Sequence, residues 1–155
     1  MRTKKETYEN VLPQIEKIVS KSVETIDKLE KICRLLQDSV AYFDWVGFYI
    51  WNEKTANLEL GPFVGTETEH KIIALGKGIC GQVAESKKTM IIQEVYREEN
   101  YLSCSFEVQS EIVIPIFHNG NFVAELDIDS HSHSPFSEED KIFLERICGK
   151  IGELF

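Results

Sequence analysis

Glu111-Ile112-Val113-Ile114-Pro115-Ile116-Phe117-His118-Asn119-Gly120-Asn121-Phe122-Val123-Ala124-Glu125-Leu126-Asp127-Ile128 is the stretch on which the fold turns. Two apolar runs, Glu111 to Phe117 and Asn121 to Ile128, flank His118-Asn119-Gly120. Asn-Gly between such runs is the strongest short signal for a hairpin. The sheet is therefore built by antiparallel pairing. Toward the N-terminus the same period of two recurs. Trp45, Gly47, Tyr49 and Trp51 alternate with Val46, Phe48 and Ile50, a strand with two apolar faces. Asn52 to Asn57 is turn-like, and Leu58 to Phe63 is the partner strand. His70 to Leu75 and Thr89 to Val95 read as further strands, with a break at Gly76 to Gly78 and a short helix over Ile79 to Lys87 between them. Tyr96 to Gln109 is polar and irregular.

Helical patterns lie outside this block. Val19, Val23, Ile26, Leu29, Ile32, Leu36 and Val40 recur every three or four residues, which predicts one long helix. A shorter helical piece, broken or begun near Pro13, precedes it. Ser137-Glu138-Glu139-Asp140 is a capping box with Asp where Glu or Gln is usual, and Ile142, Phe143, Ile147, Ile151 and Leu154 carry the last helix. The order predicts an α+β fold, an antiparallel sheet with the N- and C-terminal helices packed on one face. The 155 residues make a single domain over 1–155, with N-terminal helices in 1–42, the sheet and its loops in 44–130 and the C-terminal helix in 137–154.

A net charge of −9 argues against nucleic acid or an anionic membrane surface as partner and fits a site that welcomes a cation. No apolar run is long enough to span a bilayer. Met1 to Glu6 is charged with no apolar core behind it, so no secretion signal is read and the expected location is cytoplasmic. Structural disulfides are disfavoured there, leaving the four cysteines free, buried, catalytic or metal-bound. A metal centre is the weak alternative, because no two cysteines share a CxxC spacing and His131 and His133 are a loose pair on a turn.

Two thiols sit in unlike loops. Cys80 follows Gly76-Lys77-Gly78-Ile79 at a helix start, where unpaired N–H groups, the helix dipole and Lys77 favour a thiolate; a small buried first-turn residue is the equal alternative. Cys104 lies in the irregular stretch, with Glu98, Glu99 and Glu107 nearby to raise its pKa. Cys33 and Cys148 fall in helical patterns and are expected in the core. Glu111 opens an apolar strand, and Asp127 and Asp129, two apart, share a strand face. Acids so placed favour a cation site or a shared proton over a solvated strand end. Trp45 and Tyr49 share a face as well, either as walls of a small pocket or as ordinary core aromatics.

Trp45-Val46-Gly47-Phe48-Tyr49, Leu60-Gly61-Pro62-Phe63, Gly76-Lys77-Gly78-Ile79-Cys80-Gly81, Cys104 with Ser110-Glu111-Ile112-Val113, and Leu126-Asp127-Ile128-Asp129-Ser130 together resemble the free methionine-(R)-sulfoxide reductases, which are single GAF domains. The resemblance covers about Asp44 to Asp140. It implies reduction of free methionine sulfoxide, with Cys104 as catalytic cysteine and Cys80 as the resolving one. It further implies Glu111, Asp127 and Asp129 as substrate-binding acids and Trp45 and Tyr49 as aromatics around the substrate methyl. No metal or organic cofactor is implied; a dithiol such as thioredoxin is the reductant, and a homodimer is common in the family. The chain departs from the family in lacking a cysteine in Val64 to Ile73, which leaves Cys80 as the only evident resolving thiol, and in carrying Glu125 where a small apolar residue is usual. The rival class is a GAF module that binds a small ligand, or senses redox state through a Cys80–Cys104 disulfide, without turnover.

Overall fold

The computed structural model describes every residue of 1–155 except Cys104. The elements run α1 (Lys4–Ser20), α2 (Thr25–Ser39), β1 (Trp45–Asn52), β2 (Asn57–Val64), β3 (Ile72–Ala74), α3 (Gly78–Ser86), β4 (Met90–Ile92), β5 (Ser110–His118), β6 (Asn121–Ser130) and α4 (Glu138–Ile151), with short 3-10 turns at Val95–Arg97 and Gly152–Leu154. The six strands form one antiparallel sheet in the order β3-β2-β1-β6-β5-β4. The β5–β6 hairpin closes through Asn119 and Gly120, both at positive φ, the geometry its Asn-Gly sequence announces. Both edge strands, β3 and β4, are only three residues long. The β4 ladder ends at Val113, whereas β5 continues to His118.

The sheet separates two interiors. On one face α1, α2 and α4 bury Leu29, Ile32, Leu36, Phe143, Leu144 and Ile147 against Val46, Phe48, Ile112, Ile114, Leu126 and Ile128. The other face carries α3 and the loops, with Ile73, Ile79, Val83, Val95 and Val108 against Trp45, Tyr49 and Val113. The α+β arrangement, with terminal helices on one face, is as the sequence predicts. Cys33 and Cys148 are buried free thiols of the helical layer, and burial pushes both thiols upward in pKa.

The expected single helix over 19–40 is instead broken at 21–24, and Pro13 sits inside α1. Val23 and Ile26, read as part of the apolar stripe, are exposed. One helix from Lys4 to Ser39 would run about 50 Å, whereas the break lets α2 lie on the sheet and α1 fold back against α2 and α4. Ser137 and Asp140 form the expected capping box at α4. The fully buried Asp140 carboxylate also takes Lys4 Nζ at 2.6 Å and the hydroxyls of Tyr8 and Tyr42, tying α1 to α4. Those donors outweigh burial and hold its carboxyl below the usual range. No helix among the described residues is long and apolar enough to cross a membrane.

Candidate active site

Strand register places the acids on the α3 face of the sheet. Glu111 lies opposite Asp129, which pairs with Trp45. In the next row Val113 faces Asp127, which pairs with Gly47; in the third, Pro115 faces Glu125, which pairs with Tyr49. Side chains two apart on a strand share a face. Glu125, Asp127 and Asp129 therefore line up beneath α3, all buried, with Glu111 one strand over and also buried.

Above them, α3 begins where Gly76 and Gly78 take positive φ. This bend drops the first turn of α3 onto the acids. The Cys80 Sγ lies 3.9 Å from Glu111 Oε1, a weak thiol contact. Cys80, Glu111 and Asp127 each offer a ligand atom within 4.8 Å of the others. They line a cavity of about 10 Å³ with Tyr49, His70, Ile73, Gly78, Ile79 and Leu102, roughly the space of one water molecule. Tyr49 is fixed by its hydroxyl, which donates to His70 O at 2.8 Å.

Of the two readings left open for Cys80, a thiolate or a small buried first-turn residue, the structure shows the buried one. Burial raises its pKa well above the ordinary thiol value, and the charges of Asp127, Glu125 and Glu111 raise it further. Lys77, the residue thought to help, is outweighed by acids that only the folded sheet brings near. Burial likewise raises Asp127, although hydrogen bonds from Glu111 and the Cys80 thiol oppose it. Asp129 is raised well above its usual value by burial and by Asp127. Glu125 is raised by burial and Asp127, with Cys80 and Lys87 pulling the other way. Both oxygens of Glu125, both of Asp129 and Oδ1 of Asp127 are buried with no hydrogen-bond partner among the described residues. Burial without a partner favours the protonated form of such groups.

Of the residues expected from sequence, Cys80, Glu111, Asp127 and Tyr49 meet at the cavity. Trp45 and Asp129 occupy the adjoining row. The Trp45 indole stacks on Phe63 with ring centres 5.4 Å apart and donates from Nε1 to Thr66 O at 2.9 Å. It also covers Gly47, where a Cβ would stand 2.4 Å from its ring. Cys104 lies outside the described residues. The loop that carries it is held by Asn100, whose Oδ1 accepts from Gly78 N–H and whose Nδ2 donates to Gly76 O, both at 2.8 Å. Leu102 packs over Gly78, and His70 Nε2 meets Ser103 O at 2.9 Å. Asn100, Leu102 and His70 had no sequence signal, because their partners are remote in the chain. His131 and His133 stay on the surface beside Asp44 and Glu94.

A GAF domain family model matches residues 24–153. GAF domain-containing protein A of Dictyostelium discoideum is 35% identical over 145 residues, covering 94% of this chain and 90% of that protein. The free methionine-R-sulfoxide reductase of Saccharomyces cerevisiae is 38% identical over 112 residues, 71% of this chain and 62% of that one. The X-ray structure of free methionine-R-sulfoxide reductase from Neisseria meningitidis, in complex with its substrate, superposes with a TM-score of 0.94 at 31% identity, over 100% of this chain and 92% of that one. By these matches the chain belongs to the GAF-domain family and, within it, to the free methionine-R-sulfoxide reductases, enzymes of the oxidoreductase class.

Proposed function

We propose that the chain reduces free L-methionine (R)-sulfoxide to L-methionine, with Cys104 as nucleophile and Cys80 as resolving thiol. The observation that carries this reading is the convergence of Cys80, Glu111, Asp127 and Tyr49 on one small cavity bordered by Leu102, two residues from Cys104 in the chain. The thiolate of Cys104 attacks the sulfoxide sulfur while a buried acid gives a proton to its oxygen. Asp127 suits that role, because burial raises its pKa and so favours the protonated form from which it donates. The attack forms a transient bond between the two sulfurs; the protonated oxygen then passes from the substrate sulfur to the Cys104 sulfur as the S–S bond cleaves, so methionine leaves two electrons richer and Cys104 becomes a sulfenic acid. The Cys80 sulfur then attacks the Cys104 sulfur. The S–S bond forms, the hydroxyl departs, and it leaves as water with the thiol proton of Cys80. A thioredoxin-like dithiol returns both cysteines to thiols. Thiols and protons balance every step without a cofactor.

The raised pKa of Cys80 fits this division of labour. A buried neutral thiol is inert toward solvent oxidants, yet reacts once a sulfenic acid is held against it. The remaining acids receive the substrate ammonium, and Tyr49 and Trp45 wall the methyl group. The cavity is smaller than an amino acid, so Leu102 withdraws from Gly78 to admit substrate. Free thiols at Cys33, Cys80 and Cys148 suit a reducing cytoplasmic setting, and a homodimer is the family's common form.

The test is dithiol-dependent turnover of free methionine sulfoxide, each diastereomer assayed separately and compared with the same amino acid blocked at its amino group. Activity confined to the free (R) form, and abolished by Cys104→Ser, is expected. Equal rates on the blocked substrate would mean that the acids do not read the ammonium. Binding of sulfoxide without turnover would make the chain a sensor module.

A further inference from the structure

The donor set around the cavity is richer than a zwitterionic amino acid requires. Such a substrate brings one positive and one negative charge, whereas four carboxyl groups and a thiol are buried on this face of the sheet. We propose that the reduced protein binds one zinc ion, or another borderline-soft divalent cation, through Cys80 Sγ and one carboxylate oxygen each of Glu111 and Asp127.

The geometry supports this directly. The three ligand atoms already lie within 4.8 Å of one another, and the sulfur is 3.9 Å from Glu111 Oε1. Tetrahedral zinc, with bonds of about 2.3 Å to sulfur and 2.0 Å to oxygen, sets sulfur and oxygen roughly 3.5 Å apart. Side-chain shifts on the order of 1 Å complete the set. The cavity these residues line admits a water-sized guest, so an ion fits where an amino acid does not. Asp127, which lines the cavity, has its Oδ1 without a hydrogen-bond partner among the described residues, and Glu125 and Asp129 flank it on the same strand face. The thiolate selects zinc or cadmium over magnesium or calcium, which prefer all-oxygen sites. The thiol proton leaves to solvent as the ion binds. On the route proposed above, the ion withholds Cys80 and two acids, so turnover stops while it is bound.

The test is titration of the reduced, full-length protein with Zn2+ against a chromophoric chelator, repeated with Co2+, whose thiolate charge-transfer absorption reports a sulfur ligand. One equivalent bound, with that absorption present, is expected. Cys80→Ser should lose the absorption and bind roughly tenfold or more weakly, while Glu111→Gln and Asp127→Asn keep it and weaken comparably. Cys33→Ser and Cys148→Ser should bind as the parent does. A readout that needs no variant is the rate at which a small alkylating reagent labels Cys80, followed peptide by peptide, which zinc should slow. No binding at micromolar Zn2+, binding unchanged in Cys80→Ser, or Cys80 labelling indifferent to zinc overturns the proposal. None of these readouts depends on turnover, so the zinc site and the reductase reading fail or stand separately.

Discussion

Gly47 faces Asp127 across the β1–β6 ladder, and the Trp45 indole fills the space that a side chain on Gly47 would occupy. The smallest residue thus sits beside a buried acid so that an aromatic ring can lie over the row. In Gly47→Ala the new Cβ meets ring atoms at 2.4 and 2.6 Å and Phe63 Cβ at 2.8 Å. Overpacking of this kind costs about 1–3 kcal/mol. The expected outcome is a folded protein with a displaced Trp45, a shifted tryptophan emission, and a KM for free methionine sulfoxide raised roughly tenfold. Unaltered emission and KM would mean that the ring does not shape the site.

Cys80→Ser separates the two chemical steps. Attack on the sulfoxide needs only Cys104, whereas disulfide closure needs a second thiol. The variant should release about one equivalent of methionine per chain and then stall with thioredoxin as reductant. A burst followed by a flat line, in a rapid-quench assay, is the expected trace. Steady turnover with thioredoxin would remove Cys80 from the cycle.

Glu125→Gln should stabilise the protein, increasingly so as pH rises. The folded state holds the Glu125 proton well above the usual carboxylate range because the group is buried beside Asp127. Below about pH 4 folded and unfolded chains are both protonated, and the group contributes nothing to the pH dependence. At higher pH the unfolded chain ionises freely while the folded one resists, so stability falls until the raised folded value is passed. The amide has no proton to lose. Thermal midpoints of the two proteins should converge near pH 4 and separate by about 2–4 °C or more at neutral pH. A gap that stays constant with pH would show that Glu125 is not held neutral.

Asn100→Ala should loosen the loop that carries Cys104. It deletes one acceptor for Gly78 N–H and one donor to Gly76 O. Such bonds contribute about 1 kcal/mol each. Faster amide exchange in peptides covering 98–109, and a fall in kcat larger than the fall in thermal midpoint would suggest, are the expected signs. Unchanged exchange would mean that Leu102 and His70 hold the loop without it.

The parts of this molecule legible in its sequence are those set by near neighbours. Asn119-Gly120 fixes the hairpin because two adjacent residues accept positive φ, and Asp127 with Asp129 shares a face because strand period is two. Ser137 and Asp140 cap α4 across a single turn. What escaped the sequence depends on distant segments meeting. The thiolate reading of Cys80 follows from its helix start, yet its true neighbours include Glu111, 31 residues on, and the acids of β6. Three buried carboxyls outweigh one exposed lysine. The break at 21–24 was hidden because the apolar spacing runs unbroken through Val23 and Ile26, which the fold leaves in solvent. Asn100 reads as one polar loop residue among several until Gly76 and Gly78 are seen beside it.

The three-residue length of β4 has a consequence for how copies of this chain treat one another. A sheet margin offers unpaired amides and carbonyls to any passing strand, and long flat margins seed fibres. Here β5 outruns β4 beyond Val113, and Pro115, lacking an N–H, interrupts the stretch left over. Lys87, Lys88 and Lys141 line the same hollow with Ile114 and Phe117, against the single acid Glu145. An incoming strand would meet a missing donor and three like charges, so the margin resists polymerisation while the opposite end of the sheet, at β3, is too short to template it.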